Sequence, residues 1–183
     1  MIISFTGDPG SGKSTLGKML AEKLHFERYY IGQIRRDMAK KKGMTLAQYN
    51  EYGEKNPETD KEVDDYQKNL GETDDDFIIE GRTSWFLIPQ SIKIYVSVDP
   101  KEGARRIFSE IQHENERNEG TKAVSIDDVI ALNEQRKKSD DFRYKKYYGK
   151  DCFDHDNFDF VLDTTNLTIE EAFDKLCTFI SLR

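Results

Sequence analysis

Eight residues near the start, Gly7-Asp8-Pro9-Gly10-Ser11-Gly12-Lys13-Ser14, are spaced as G-x-x-x-x-G-K-[ST], the pattern of a phosphate-binding loop. The chemistry asks for these residue types. Glycines let backbone amides approach an anion without a Cβ in the way. Successive N–H groups then form a nest at a helix N-terminus, where unpaired donors and the macrodipole favour negative charge. Lys13 adds a mobile positive charge for the outer phosphates, and the Ser14 hydroxyl suits Mg²⁺. Gly7 to Thr15 are therefore candidates for holding the phosphates of ATP, with Ser14 as a metal ligand.

A second set of residues would suit a second phosphate. Arg36, Arg82, Arg106, Arg136 and Arg143 fall where another phosphate group could be clamped, and planar guanidinium forks match phosphate oxygens better than lysine does. Two phosphates held in line with their charge neutralised are most of what phosphoryl transfer needs.

The elements that must position these residues are readable. Ile2-Ile3-Ser4-Phe5 precedes the loop as a strand, and Leu16, Leu20 and Leu24 after it repeat at helical spacing. Phe26–Ile31 reads as a second strand and Gln33–Lys42 as a short basic helix ending at Gly43. Thr45 with Gln48 forms a capping-box pattern. Asn56-Pro57 reads as an N-cap followed by proline at the first helical position, opening a helix that stops at Gly71. Phe77-Ile78-Ile79, Ile92–Val98 and Asp159–Asp163 complete five strands. A helix is expected from Lys101 to Ile111, a loop or lid over 112–124, a long polar helix from Ser125 towards Lys146, and a final helix capped by Thr168. This alternation predicts an α/β three-layer sandwich, a five-stranded parallel sheet covered on both faces. Ligands then bind beyond the carboxyl ends of the strands, which carry the loop, Gly32, Glu80-Gly81-Arg82, Asp99 and Asp163-Thr164-Thr165-Asn166.

At 183 residues one domain is expected over 1–183. A net charge of −7 speaks against a general nucleic-acid surface. The charge is uneven: residues 1–50 carry nine Lys/Arg and four Asp/Glu, residues 51–80 three and twelve. The acidic stretch reads mostly as a solvated helix face. Cys152 and Cys177 are too few for a disulfide framework; Cys177 falls in an apolar stripe, while Cys152 sits in a polar stretch and reads as exposed. No apolar run has the length of a membrane span, and no leader precedes the first strand, so a cytoplasmic setting is expected. No guanine-reading Asn-Lys-x-Asp follows the fourth strand, which argues against a GTPase switch.

The segments Gly7–Thr15, GQIRRDMAKKKGM from Gly32, PETDKEVDDYQ from Pro57, EGRTS from Glu80, RKKSDDFRYKKYYG from Arg136 and DFVLDTT from Asp159 together resemble the archaeal-type cytidylate kinases, nucleoside monophosphate kinases built on a P-loop. The most specific part is EGR-x-S combined with R-x-x-S-x-x-x-R-Y and a following YG. The resemblance implies ATP-dependent phosphorylation of CMP or dCMP, with a P-loop NTPase fold, small-molecule nucleotides as the partners and Mg²⁺ as cofactor. It implies that Ser14, with Glu80 through water, holds the metal. Arg36 and Arg82 grip the acceptor monophosphate, with Asp60 and Asp64 reading the base in an acceptor segment over about 32–72. Arg106, Arg136 and Arg143 belong to a hinge and lid over about 106–146, with Arg136 also touching the acceptor. Thr164, Thr165 and Asn166 lie near the donor adenine. A monomer is expected, with a dimer as the alternative.

Two departures stand out. Asp65-Tyr66 replaces basic residues usual in that family, and 112–124 is longer and more polar than its lid segment. Other readings of the same residues are a small P-loop kinase for AMP, UMP, a nucleoside or a metabolite alcohol, or a module that senses ATP without turnover.

Overall fold

Every residue of Ile2–Gly7 (β1) is buried, as a central strand covered on two faces must be. The computed structural model describes residues 1–111, 123 and 125–182. β1 runs into the glycine loop and then the helix Lys13–Leu24 (α1). There follow Glu27–Tyr30 (β2), Ile31–Lys41 (α2), Leu46–Gly53 (α3), Glu58–Thr73 (α4), Phe77–Glu80 (β3), Ser84–Leu87 (α5) and Ile92–Ser97 (β4). Pro100–Ile111 (α6), Ile126–Tyr148 (α7), Phe160–Asp163 (β5) and Ile169–Ser181 (α8) complete the order.

The five strands form one sheet in the order β2-β3-β1-β4-β5, with every pairing parallel. The period-2 alternation of side chains divides the core. Ile3, Phe5, Ile78, Ile94, Val96 and Leu162 pack with Leu16 and Leu20 of α1 and Ala172, Leu176 and Ile180 of α8. Ile2, Phe77 and Ile79 pack instead with Ile31 of α2, Val63 and Leu70 of α4, and Ile88. A third cluster, Ala104, Ile107, Ala123 and Val129, joins α6 to α7. Each fully buried Val, Leu, Ile or Phe side chain among them contributes roughly 1.5–3 kcal/mol.

The expected caps form. Thr45 and Thr168 each close a reciprocal capping box, with Gln48 and Glu171. Ser125 accepts the Asp128 N–H at 3.1 Å, and α7 ends at Gly149 in the left-handed region, φ 65°.

Five expectations need correction. The helix α2 starts at Ile31, two residues early, directly off the strand. Pro57 is the N-cap residue of α4, and the Asn56 side chain turns back to the Tyr52 carbonyl at 2.8 Å. α4 also runs through Gly71 to Thr73. There the glycine serves packing, since a Cβ would lie 2.9 Å from the Ile88 side chain. Cys152 is fully buried against Trp85, and burial pushes its thiol up to about 12. The acidic run is solvated only on one side: Asp60, Asp64 and Gln67 of α4 are buried. The expected loop at 112–124 lies outside the described residues apart from Ala123. Among the described residues no helix is long and apolar enough to cross a membrane.

Candidate active site

The glycine loop forms as the sequence requires. Gly10 and Gly12 adopt φ of 76° and 80°, which glycine reaches without strain. A Cβ at Gly10 would also drive into the Gly103 carbonyl of α6. Lys13 Nζ lies 3.4 Å from the Asp8 carbonyl oxygen. The Asp8 carboxylate accepts from Tyr95 Oη at 2.9 Å and Lys137 Nζ at 3.4 Å. Beyond the loop, Thr164 Oγ1 donates to the Ser11 carbonyl at 3.0 Å, fixing the β5 loop against the P-loop. Arg106 belongs to this side. Its Nη2 donates to the carbonyls of Thr164 at 2.8 Å and Thr165 at 3.2 Å, and its Nε to Glu102 at 2.8 Å. Arg106, Thr164, Thr165 and Asn166 line a cleft with Ser11 and Gly12, whereas Arg36, Arg82 and Arg136 do not reach it.

Those three arginines meet in a second cleft. It opens from Gly10, Lys13 and Ser14 towards Tyr30, Arg35, Arg36, Asp64, Gln67, Arg82 and Arg136. α2 delivers Arg36, the loop after β3 delivers Arg82, and α7 delivers Arg136. Arg36 Nη1 donates to Tyr30 Oη at 3.1 Å and its guanidinium lies over the Tyr30 ring. Burial raises the Tyr30 phenol, but the Arg36 charge together with hydrogen bonds to Arg36 and Ser14 outweighs it, and the net shift is downward. Arg82 donates from Nη1 to the Gly7 carbonyl and from Nε to Asp140 at 3.3 Å.

The lid-side arginine Arg143 stands deeper. Its side chain is fully buried, and it does not line the cleft. Nη1 donates to both Asp60 oxygens, at 2.6 and 2.7 Å, and Nη2 to Asp140 at 2.5 Å. Arg35 adds Nη1 to Asp60 at 2.5 Å and Nε to Asn50 at 2.8 Å. Arg35, Asp60, Arg143, Asp140 and Arg82 thus alternate in sign through α2, α4, α7 and the loop after β3. Burial opposes ionisation of Asp140, yet Arg143 and Arg82 hold it below the usual carboxylate range. Buried charges of this kind are tolerable only when every partner is present.

Asp64 faces the cleft from α4. Its carboxylate accepts Thr83 Oγ1 at 2.9 Å, Gln67 Nε2 at 3.1 Å and Tyr148 Oη. Burial nevertheless pushes it up to about 6. Gln67 Oε1 accepts Ser84 Oγ at 2.6 Å, so the amide's orientation is fixed from both ends.

Glu80 ends β3 beside α1. One oxygen accepts Arg28 Nε at 2.6 Å; the other, Oε2, is buried without a hydrogen-bond partner. An orphaned carboxylate oxygen beside the phosphate loop and Ser14 fits a hydrated cation.

Several residues of the site were not singled out by sequence reasoning. Gln67 had a signal: 60, 64 and 67 share one face of α4 at i, i+4, i+7. Asp140 had the same one, lying between Arg136 and Arg143 on α7. Tyr30, Arg28, Arg35 and Thr83 carried none, because their neighbours come from distant parts of the chain. Asp65 and Tyr66, the departure on α4, are exposed and line neither cleft.

Comparison with known proteins finds relatives in sequence and in fold. A family described as "AAA domain" matches residues 3–127. A cytidylate kinase of Methanosarcina acetivorans is 34% identical, covering 96% of this chain and 94% of its own. One of Archaeoglobus fulgidus is 32% identical over 93% and 89%. Among solved structures, shikimate kinase from Bacteroides thetaiotaomicron superposes with a TM-score of 0.65 at 14% identity, covering 99% of this chain and 98% of that one; this likeness concerns the fold.

Proposed function

The chain belongs to the cytidylate kinase family, and from that we infer that it transfers the terminal phosphoryl group of ATP to CMP or dCMP. The observation that carries the reading is a pair of clefts on either side of the glycine loop, one lined by Ser11 and Gly12 with Thr164, Thr165 and Asn166, the other by Gly10, Lys13 and Ser14 with Arg36, Arg82 and Arg136.

On this reading the phosphates of ATP lie on the amides of Gly10 to Thr15, with Lys13 over the outer oxygens. Thr164, Thr165 and Asn166 bound the donor base, and Arg106 holds their loop in place. The acceptor phosphate lies between Arg36, Arg82 and Arg136. Its nucleophile is already an anionic oxygen, so no general base is needed; alignment and charge neutralisation do the work. Asp64 and Gln67 meet the acceptor base. Asp60 and Arg143, paired with each other and with Arg35 and Asp140, brace the cleft. Ser14 and the free Glu80 oxygen would hold Mg²⁺ through water, and the ion, when bound, offsets charge on the transferring phosphates. α6 and α7 form the lid, whose closure excludes water and spares ATP from hydrolysis. A monomer in the cytoplasm suffices for this chemistry.

The test is ADP release with ATP and a panel of CMP, dCMP, UMP and AMP. CMP and dCMP should give the highest kcat/KM. Preference for AMP would overturn the acceptor, and no acceptor-dependent ADP would overturn the activity.

A further inference from the structure

Asp140 sits where the two halves of the buried charge chain meet. Its carboxylate accepts Arg82 Nε on Oδ2 at 3.3 Å and Arg143 Nη2 on Oδ1 at 2.5 Å, and the residue is 4% exposed. Arg143 is itself anchored on Asp60, so the carboxylate has no room to drift. Arg82 is held at three points. Asp140 takes Nε, the Gly7 carbonyl takes Nη1, and the Phe153 ring covers the guanidinium, 5.2 Å from Cζ. A guanidinium is a rigid planar fork. Fixing Nε and Nη1 therefore fixes where the Nη2 donors point.

Arg82 comes from the loop after β3, while Asp140 comes from α7. The aim of Arg82 thus depends on an element that is more than fifty residues away in sequence and that is docked by its own buried ion pairs. Without the carboxylate, Arg82 keeps its backbone partner but loses the contact that sets its plane.

We propose that Asp140 is a positioning residue: it aims Arg82 at the acceptor phosphate and makes docking of α7 a condition for gripping the acceptor. This rests on the reading of Arg82 as an acceptor ligand. It makes the acceptor site complete only where α7 is seated on Asp60 and Arg82.

The experiment is a double-mutant cycle in steady-state kinetics with CMP and ATP, using D140N, R82A and the two combined. D140N should lower kcat/KM for the acceptor by about a hundredfold, the size of effect that small misplacement of a positioned group produces, while KM for ATP moves by less than about twofold. In the R82A background the same change should add less than about twofold, because residues acting through one another are not additive. D140E keeps the charge, and should restore part of the loss; where D140N does not fold, D140E replaces it in the cycle. Multiplicative losses, an equal effect on ATP, or no effect of D140N would overturn the proposal. If R82A itself leaves acceptor kinetics unchanged, the placement of the acceptor fails instead.

Discussion

The two clefts proposed for donor and acceptor are built from different materials. The donor side is mostly backbone: a nest of amides at the start of α1, braced by Thr164 and Arg106 through main-chain carbonyls. The acceptor side is mostly side chain, with guanidiniums and carboxylates from α2, α4, α7 and the β3 loop held by one another. A backbone nest is rigid and indifferent to which nucleotide carries the phosphate. A side-chain site can be read, retuned and taken apart, and it holds its shape only while every charge has its partner.

The sharpest way to break this contrast is at Lys13, the loop residue proposed to reach the outer phosphates through its side chain. Lys13→Ala should lower kcat by about a thousandfold, with the folded structure and its thermal midpoint retained, as checked by single-turnover kinetics and calorimetry. Asp60→Ala should do the reverse. It strands Arg143 and Arg35 in the interior and should cost about 3 kcal/mol or more of stability by denaturant unfolding, before any catalytic effect is counted. If Lys13→Ala unfolds the protein, or Asp60→Ala leaves stability untouched, the division of labour is wrong.

How much of this was legible follows the same line. The nest occupies eight consecutive residues, so its chemistry is written locally. The strands and the Thr45 and Thr168 caps were local too. The acceptor side was legible only as single arginines, because its meaning lies in who faces whom. Arg143 reads as a phosphate ligand in isolation, yet Asp60 and Asp140 claim its donors. The acidic stretch around Asp60 and Asp64 reads mostly as solvated, yet α4 turns both residues inward. Cys152 sits among polar neighbours in sequence, while Trp85 and Arg82, which adjoin it in space, lie some seventy positions away.

A smaller effect sharpens the contrast through pH. Burial, working against the hydrogen bonds from Tyr148 and Thr83, lifts Asp64 from 3.8 to about 6. The folded state therefore binds this proton more tightly than the unfolded chain. Its contribution to stability is fully present below about pH 4 and is lost as pH rises through about 6. The difference in thermal midpoint between the wild type and Asp64→Asn should fall across that window and level off above it. A difference that grows with pH would place the carboxylate in a different environment.

The smallest effect is expected on the outer face of α4. Tyr66 is 41% exposed, so Tyr66→Lys should change stability by no more than about 0.5 kcal/mol and leave the order of acceptors in the panel unchanged. A switch of acceptor would bring this face into the site.

The central claim is that one nucleotide rests on amides and the other is held by guanidiniums. A crystal structure with a bisubstrate mimic, adenosine and cytidine joined through a phosphate chain, tests it most directly. The adenosine-side phosphates should lie on the N–H groups of Gly10 to Thr15 and the cytidine-side phosphate within hydrogen-bonding distance of Arg36 and Arg82. A cytidine end that leaves both arginines untouched would contradict it.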